Sequence, residues 1–163
     1  MSAMNRILIV QTAVLELIAA QEGREIQRDE SLDWERLHLA SCAALGFLMA
    51  EEQGEDPALA AVACSLHDVG RILTGKQEGH APAGRAPARV LLERLDLFTP
   101  AEIDLVAEAV ACHSDKDQIG TPLEEIVKDA DVVACRQYGL PLEGAARRER
   151  YDRWCRRHSP GGR

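Results

Sequence analysis

Aromatic side chains are scarce in this chain: two Trp, two Tyr and two Phe among 163 residues, against 46% hydrophobic residues rich in Ala and Leu. Sheets draw on aromatic and β-branched residues while Ala and Leu favour helices, so the balance disfavours a sheet-based fold and predicts an all-α one. Positive charge is also in short supply. The formal net charge is −8 and the pI is about 5.1, which argues against a protein that coats nucleic acid or an anionic membrane. The five cysteines, Cys42, Cys64, Cys112, Cys135 and Cys155, are odd in number and contain no C-x-x-C pair. That argues against a disulfide framework and for a reducing, cytoplasmic setting. The apolar run from Ile7 to Ala20 is interrupted by Gln11, Thr12 and Glu16, so neither a signal peptide nor a membrane span is expected. Neither a P-loop nor a dinucleotide-binding glycine motif occurs.

What remains fits one domain, a single helical bundle of about six to seven helices, long enough to bury roughly two-thirds of its unfolded surface. The expected core runs over 34–138, preceded by an N-terminal helix and loop over 1–33. A basic helix or tail over 142–163 completes the chain, with seven Arg against three acids. That tail admits three readings: a solvated helix face, a lid supplying arginines to an anionic substrate, or a weak nucleic-acid contact.

Local signals place the helices. Asn5 to Gln21 carries Ile7, Val10, Val14, Leu17 and Ile18 on one face, and Ser31 is a candidate cap for the second helix. That helix spans about Trp34 to Gln53 and ends at Gly54. Its inner stripe is read as Trp34, Leu37, Ser41, Leu45 and Leu48, with His38 facing inward. Asp56-Pro57 opens a third helix, which Gly70 is expected to stop after His67 and Asp68. Arg71 to Gly79 reads as a loop, and the next helix begins near His80, with Ala81, Gly84, Ala86 and Ala88 keeping it slim. Thr99-Pro100-Ala101-Glu102 is a capping box that opens a helix carrying Ile103, Val106, Val110 and His113 on one face. Thr121-Pro122-Leu123-Glu124 repeats the signal and leads to Asp129 and Asp131. Pro141 to His158 reads as a last helix, and Ser159 to Arg163 as frayed.

Four of the five histidines, His38, His67, His80 and His113, thus fall at inward positions or at a helix start, with the adjacent pair His67-Asp68 among them. Each buried imidazole and carboxylate needs a partner. One metal centre satisfies them together, and nitrogen with carboxylate oxygen suits iron, manganese, cobalt, nickel or zinc better than calcium. Periodicity alone does not choose between Asp129 and Asp131.

These residues carry a resemblance. His38, His67-Asp68-Val69-Gly70-Arg71, the Gly-His-Ala-Pro-Ala-Gly stretch at 79–84, Cys112-His113-Ser114 and Lys128-Asp129-Ala130-Asp131 make the chain similar to the HD-domain superfamily of metal-dependent phosphohydrolases. The resemblance covers about Trp34 to Tyr138. It implies one ion held by His38, His67, Asp68 and Asp131. In the binuclear branch it implies a second, held by His80, His113 and a bridging Asp68. It selects Asp131 over Asp129 and implies hydrolysis of a phosphate ester of a small metabolite or nucleotide by a metal-activated water.

Asp68 and Arg71 are the expected catalytic residues, Arg71 standing where relatives often have lysine. Its planar fork, with Lys116 and Lys128 at the mouth, would bind the substrate phosphate. Trp34, Tyr138 and Trp154 are the candidate stacking platforms, and Ser114 a minor candidate for orienting substrate. Alternatives that share the ligands are a diiron oxygenase acting on a small molecule and a non-catalytic sensing domain. A small phosphorylated substrate is the expected partner, a membrane or nucleic acid is not, and assembly into a homo-oligomer is left open.

Overall fold

The ten residues Pro57 to Leu66 contain no charged side chain, and Ala58 to Leu66 are all buried. A helix apolar on every side belongs at the centre of a bundle. In the computed structural model, which describes residues 3–159, this helix (α3) lies at the centre and packs directly against four of the others. Asp56 starts it, accepting from the main-chain N–H of Ala58 at 2.8 Å and of Leu59 at 3.0 Å, with Pro57 at the first helical position.

Around α3 lie α1 (Ala3–Ala19), α2 (Leu32–Gln53), α4 (Val69–Thr74), α5 (His80–Leu95), α6 (Pro100–Cys112), α7 (Pro122–Gln137) and α8 (Ala145–His158). Seven of the eight exceed nine residues and α4 is a short segment, so the all-α class and the helix number agree with expectation. α2 packs most extensively on α3 and then on α7, α5 pairs with α6, α4 lies against α5, and α8 rests on α7. The expected fraying of residues 160–163 lies outside the described residues.

The N-terminal caps behave as their sequences suggest. Ser31 accepts from Trp34 N–H, Thr99 and Glu102 close a full capping box, and Thr121 accepts from Glu124 N–H. Gly54 ends α2 at φ 74°.

Two local expectations fail. The inner face of α2 does not run through Leu37 and Leu48, which are more than half exposed, but through Glu35, His38, Leu39, Cys42, Gly46 and Met49. Small Cys42 and Gly46 let α2 approach α3, where a Cβ on Gly46 would lie 2.5 Å from Cys64 Sγ. Apolar character alone misled the assignment, because the approach required small residues inside and left leucines outside. Gly70 likewise does not stop a helix, and Arg71 to Thr74, expected to begin a loop, continue it as the last turn of α4. Gly70 lies buried inside α4, where a Cβ would overlap the carbonyl oxygen of His80. Glycine there permits the close crossing of α4 and α5 that seats His80 beside Asp68.

Candidate metal centre

Three of the converging histidines sit at helix ends. His67 is the C-terminal cap of α3, His113 that of α6, and His80 is the first residue of α5. Helix ends leave carbonyls unpaired within their own helix or turn, and each ring takes one. Nδ1 of His67 donates to Cys64 O at 2.7 Å, that of His113 to Val110 O at 2.7 Å, and that of His80 to Gln77 O at 2.6 Å. A carbonyl can only accept, so Nδ1 carries the proton in all three rings and Nε2 faces inward. His38, from the middle of α2, adds a fourth Nε2, and its ring is backed by Trp34 stacked at 4.8 Å. All four are almost wholly buried.

Asp68 lies between them, and its two oxygens divide the histidines. Oδ2 stands 3.0 Å from His67 Nε2 and 3.4 Å from His38 Nε2, while Oδ1 stands 3.1 Å from His80 Nε2 and 3.5 Å from His113 Nε2. Oδ1 is buried and no aligned donor reaches it. Asp131, from α7, closes the His38 side, its Oδ1 3.1 Å from His38 Nε2. Donor atoms of His38, Cys42, His67 and Asp131, and of His67, Asp68 and His113, are close enough within each group to hold a metal ion. Histidine pairs with facing lone pairs and an orphaned carboxylate oxygen fit a divalent cation.

The protonation states follow the same geometry. Burial alone would raise the Asp68 carboxyl, but His67 and Arg71 hold it well below the usual carboxylate range. Asp131 behaves alike, with Lys116 and His38 overcoming its burial. Burial pushes His67 down, yet the Asp68 and Asp131 carboxylates reverse this and its net direction is upward. His113 is pushed down to about 4 by burial, Asp68 offsetting this only in part.

Asp129, the alternative that periodicity left open, lies outside the centre. It pairs with Arg150 at 2.7 Å and Arg153 at 3.3 Å, both from α8.

The three cations expected to bind phosphate are already engaged within the protein. Arg71 is close to the centre, but its fork is taken: Nε and Nη2 donate to Glu35 at 2.7 and 3.1 Å, Nη2 also to Asp68 Oδ2 at 2.5 Å, and Nη1 to Gln77 at 2.7 Å. A bidentate grip on phosphate is not available to it, so it orients Asp68 instead. Lys116 does not stand at the mouth; its buried Nζ donates to Asp131 Oδ2 at 2.5 Å and to His113 O at 2.7 Å. Lys128 is 1% exposed and donates to Gln118 O at 2.9 Å and Glu125 at 3.3 Å, away from the cavity. A buried ammonium must be paired, and both lysines have their partners inside.

A cavity of about 300 Å³ opens onto Asp68, His80, His113 and Asp131. Trp34 and Ser114 line it; Tyr138 packs edge-on against Trp34, and Trp154 is part of the core packing near Tyr151. Cys135, Leu140, Pro141 and Arg147 complete its wall.

The sequence points to this wall only through the reading of the basic tail, Arg147 included, as a lid that supplies arginines, and the expected site leaves out Glu35 and Gln77. Glu35 carried a usable signal, lying three residues before His38 on one helix face. Gln77 carried none, since its role rests on a loop whose path only the packing of α4 and α5 determines.

The family described as HD domain matches residues 37–135. Ribonuclease Y of Thermus thermophilus is 33% identical over 121 residues, 74% of this chain and 18% of that protein. Ribonuclease Y of Cutibacterium acnes is 33% identical over 108 residues, 65% of this chain and 18% of the relative. The chain thus spans less than a fifth of the length of these curated relatives. No solved structure matches it significantly.

Proposed function

The chain belongs to the HD domain family, and on that premise we propose that it is a metal-dependent phosphohydrolase cleaving a phosphate ester of a small metabolite or nucleotide. In this reading His38, His67, Asp68 and Asp131 hold one divalent transition ion, and His80, His113 and the shared Asp68 hold a second. Iron or manganese suits the set best, with cobalt, nickel and zinc also admitted. The observation that carries the reading is the division of Asp68, one oxygen toward each histidine pair. Two ions so held would lower the pKa of a bound water from about 15.7 toward neutrality and neutralise phosphoryl oxygens.

The chain's own groups prepare that centre. Arg71, braced by Glu35 and Gln77, fixes the Asp68 carboxylate, and Lys116 fixes Asp131. Main-chain carbonyls hold three imidazoles with Nε2 inward, which leaves little reorganisation when charge develops on a phosphoryl group. Relatives named as ribonucleases support chemistry at phosphate esters. A net charge of −8 and a cavity of about 300 Å³ favour a small substrate over a polynucleotide. All five cysteines are free thiols, which supports a reducing cytoplasmic setting, and no helix of the described residues is long and apolar enough to cross a membrane.

The test is phosphate release from a panel of phosphate esters by manganese- or iron-reconstituted protein under anaerobic conditions, beside Asp68→Ala. Release without oxygen, lost in the variant together with bound metal, supports the reading. In a parallel aerobic arm with the iron-loaded protein, substrate-dependent oxygen uptake without phosphate release would replace it with the diiron oxygenase. Bound metal with neither reaction would point to a sensing domain.

A further inference from the structure

The cavity wall contains two cations, Arg71 and Arg147. All of the Arg71 nitrogens are engaged by Glu35, Asp68 and Gln77. Arg147, in the first turn of α8, is half-buried and its side chain makes no hydrogen bond or ion pair among the described residues. Its α8 neighbours are engaged: Arg150 binds Lys116 O, Glu125 and Asp129, and Arg153 binds Asp129. Those contacts dock α8 on α7 and hold Arg147 at the cavity, whose lining it shares with Cys135. Cys135 Sγ in turn lies 3.4 Å from Asp131 Oδ1.

We propose that Arg147 is the substrate-recognition cation of this cavity and selects phosphate esters that carry a second anionic group. The proposal rests on the phosphohydrolase reading for the place of the first phosphate. That phosphate is neutralised at the histidine–aspartate centre, whereas Arg147 belongs to a different wall that also carries Leu140 and Pro141. A guanidinium with free donors on a partly apolar wall takes a carboxylate or a phosphate through paired N–H groups. Glu30 and Glu143 also line the cavity and disfavour an extended polyanion, which confines the second charge to Arg147. Leu140, Pro141 and Arg147 lie beyond residue 135, where the family match ends.

Matched probe pairs test the proposal on the full, manganese-loaded chain. Glycerol 3-phosphate is set against 3-phosphoglycerate, and adenosine 5′-monophosphate against adenosine 3′,5′-bisphosphate, with binding measured by calorimetry. The wild type is expected to bind the doubly anionic member of at least one pair about tenfold more tightly. Arg147→Gln should erase that preference while leaving metal content and thermal midpoint unchanged, and Arg147→Lys should restore part of it. The pair that shows the preference identifies the second group as carboxylate or phosphate. Absence of any preference in the wild type, absence of binding by all four probes, or a preference that survives in Arg147→Gln would overturn the proposal. Phosphate release is recorded in parallel: binding preference without hydrolysis counts against the phosphohydrolase reading alone, and hydrolysis without preference against Arg147 alone.

Discussion

His80 and His113 face each other through their Nε2 atoms at 2.9 Å, although each ring gives its Nδ1 proton to a main-chain carbonyl. Two neutral imidazoles so arranged present lone pair to lone pair. A proton shared between them is disfavoured on the His113 side, whose pKa is pushed down to about 4. A cation between the rings removes the conflict, and the nearby Asp68 Oδ1, which has no hydrogen bond, supplies compensating charge.

Metal stoichiometry can be predicted from this pairing. Protein purified without chelator is expected to carry about two transition ions per chain by mass spectrometry, the number two-metal sites hold. His80→Ala and His113→Ala should each lower the content by about one ion without unfolding the bundle. Content near one ion in the wild type, unchanged in both variants, would remove the second metal position from the proposal.

The Arg71 contacts predict an unusual stability pattern. Glu35 is 2% exposed, and burial raises its carboxyl pKa even with Arg71 bound. Arg71→Met in the metal-free chain leaves two buried carboxylates without their cation, and about 3–5 kcal/mol should be lost in urea denaturation. Adding Glu35→Leu should recover at least half, since one stranded charge is then gone. A double variant no more stable than Arg71→Met would show that the loss does not arise from Glu35.

The raised pKa of His67 sets opposite pH trends for the two forms. Its folded value lies above the ordinary 6.5, so its contribution to metal-free stability is fully present below that value and lost as pH rises through the folded one. A metal ion needs the lone pair that the proton occupies, so metal affinity rises over the same interval. Thermal midpoints of the loaded and metal-free forms should therefore diverge as pH rises above the ordinary histidine value of 6.5. Parallel curves would contradict proton–metal competition at His67.

Asp129 and Asp131 separate by role. Asp129→Asn weakens the pairs with buried Arg150, which keeps Glu125, and with Arg153, and should cost about 1–3 kcal/mol with metal content unchanged. Asp131→Asn removes the carboxylate facing His38 and held by Lys116, and metal content should fall. Equal metal content in the two variants would sink the assignment of Asp131.

Many of these features are encoded in local sequence. Asp56-Pro57, Thr99 to Glu102 and Thr121 to Glu124 start helices by satisfying their own first N–H groups, a short-range effect that needs no tertiary partner. Helical spacing turned the faces of α1 and α6 inward, and the adjacency of His67 and Asp68 placed two donors together. Tertiary structure alone decided the rest, because it depends on distances between segments far apart in the chain. The crossing of α4 and α5 at Gly70 sets where Gln77 meets both Arg71 and His80. The docking of α8 on α7 directs Asp129 to Arg150 and leaves Asp131 for the centre. Charge type showed which residues could bind phosphate, but only burial and competing partners showed that Arg71, Lys116 and Lys128 were already engaged while Arg147 was free.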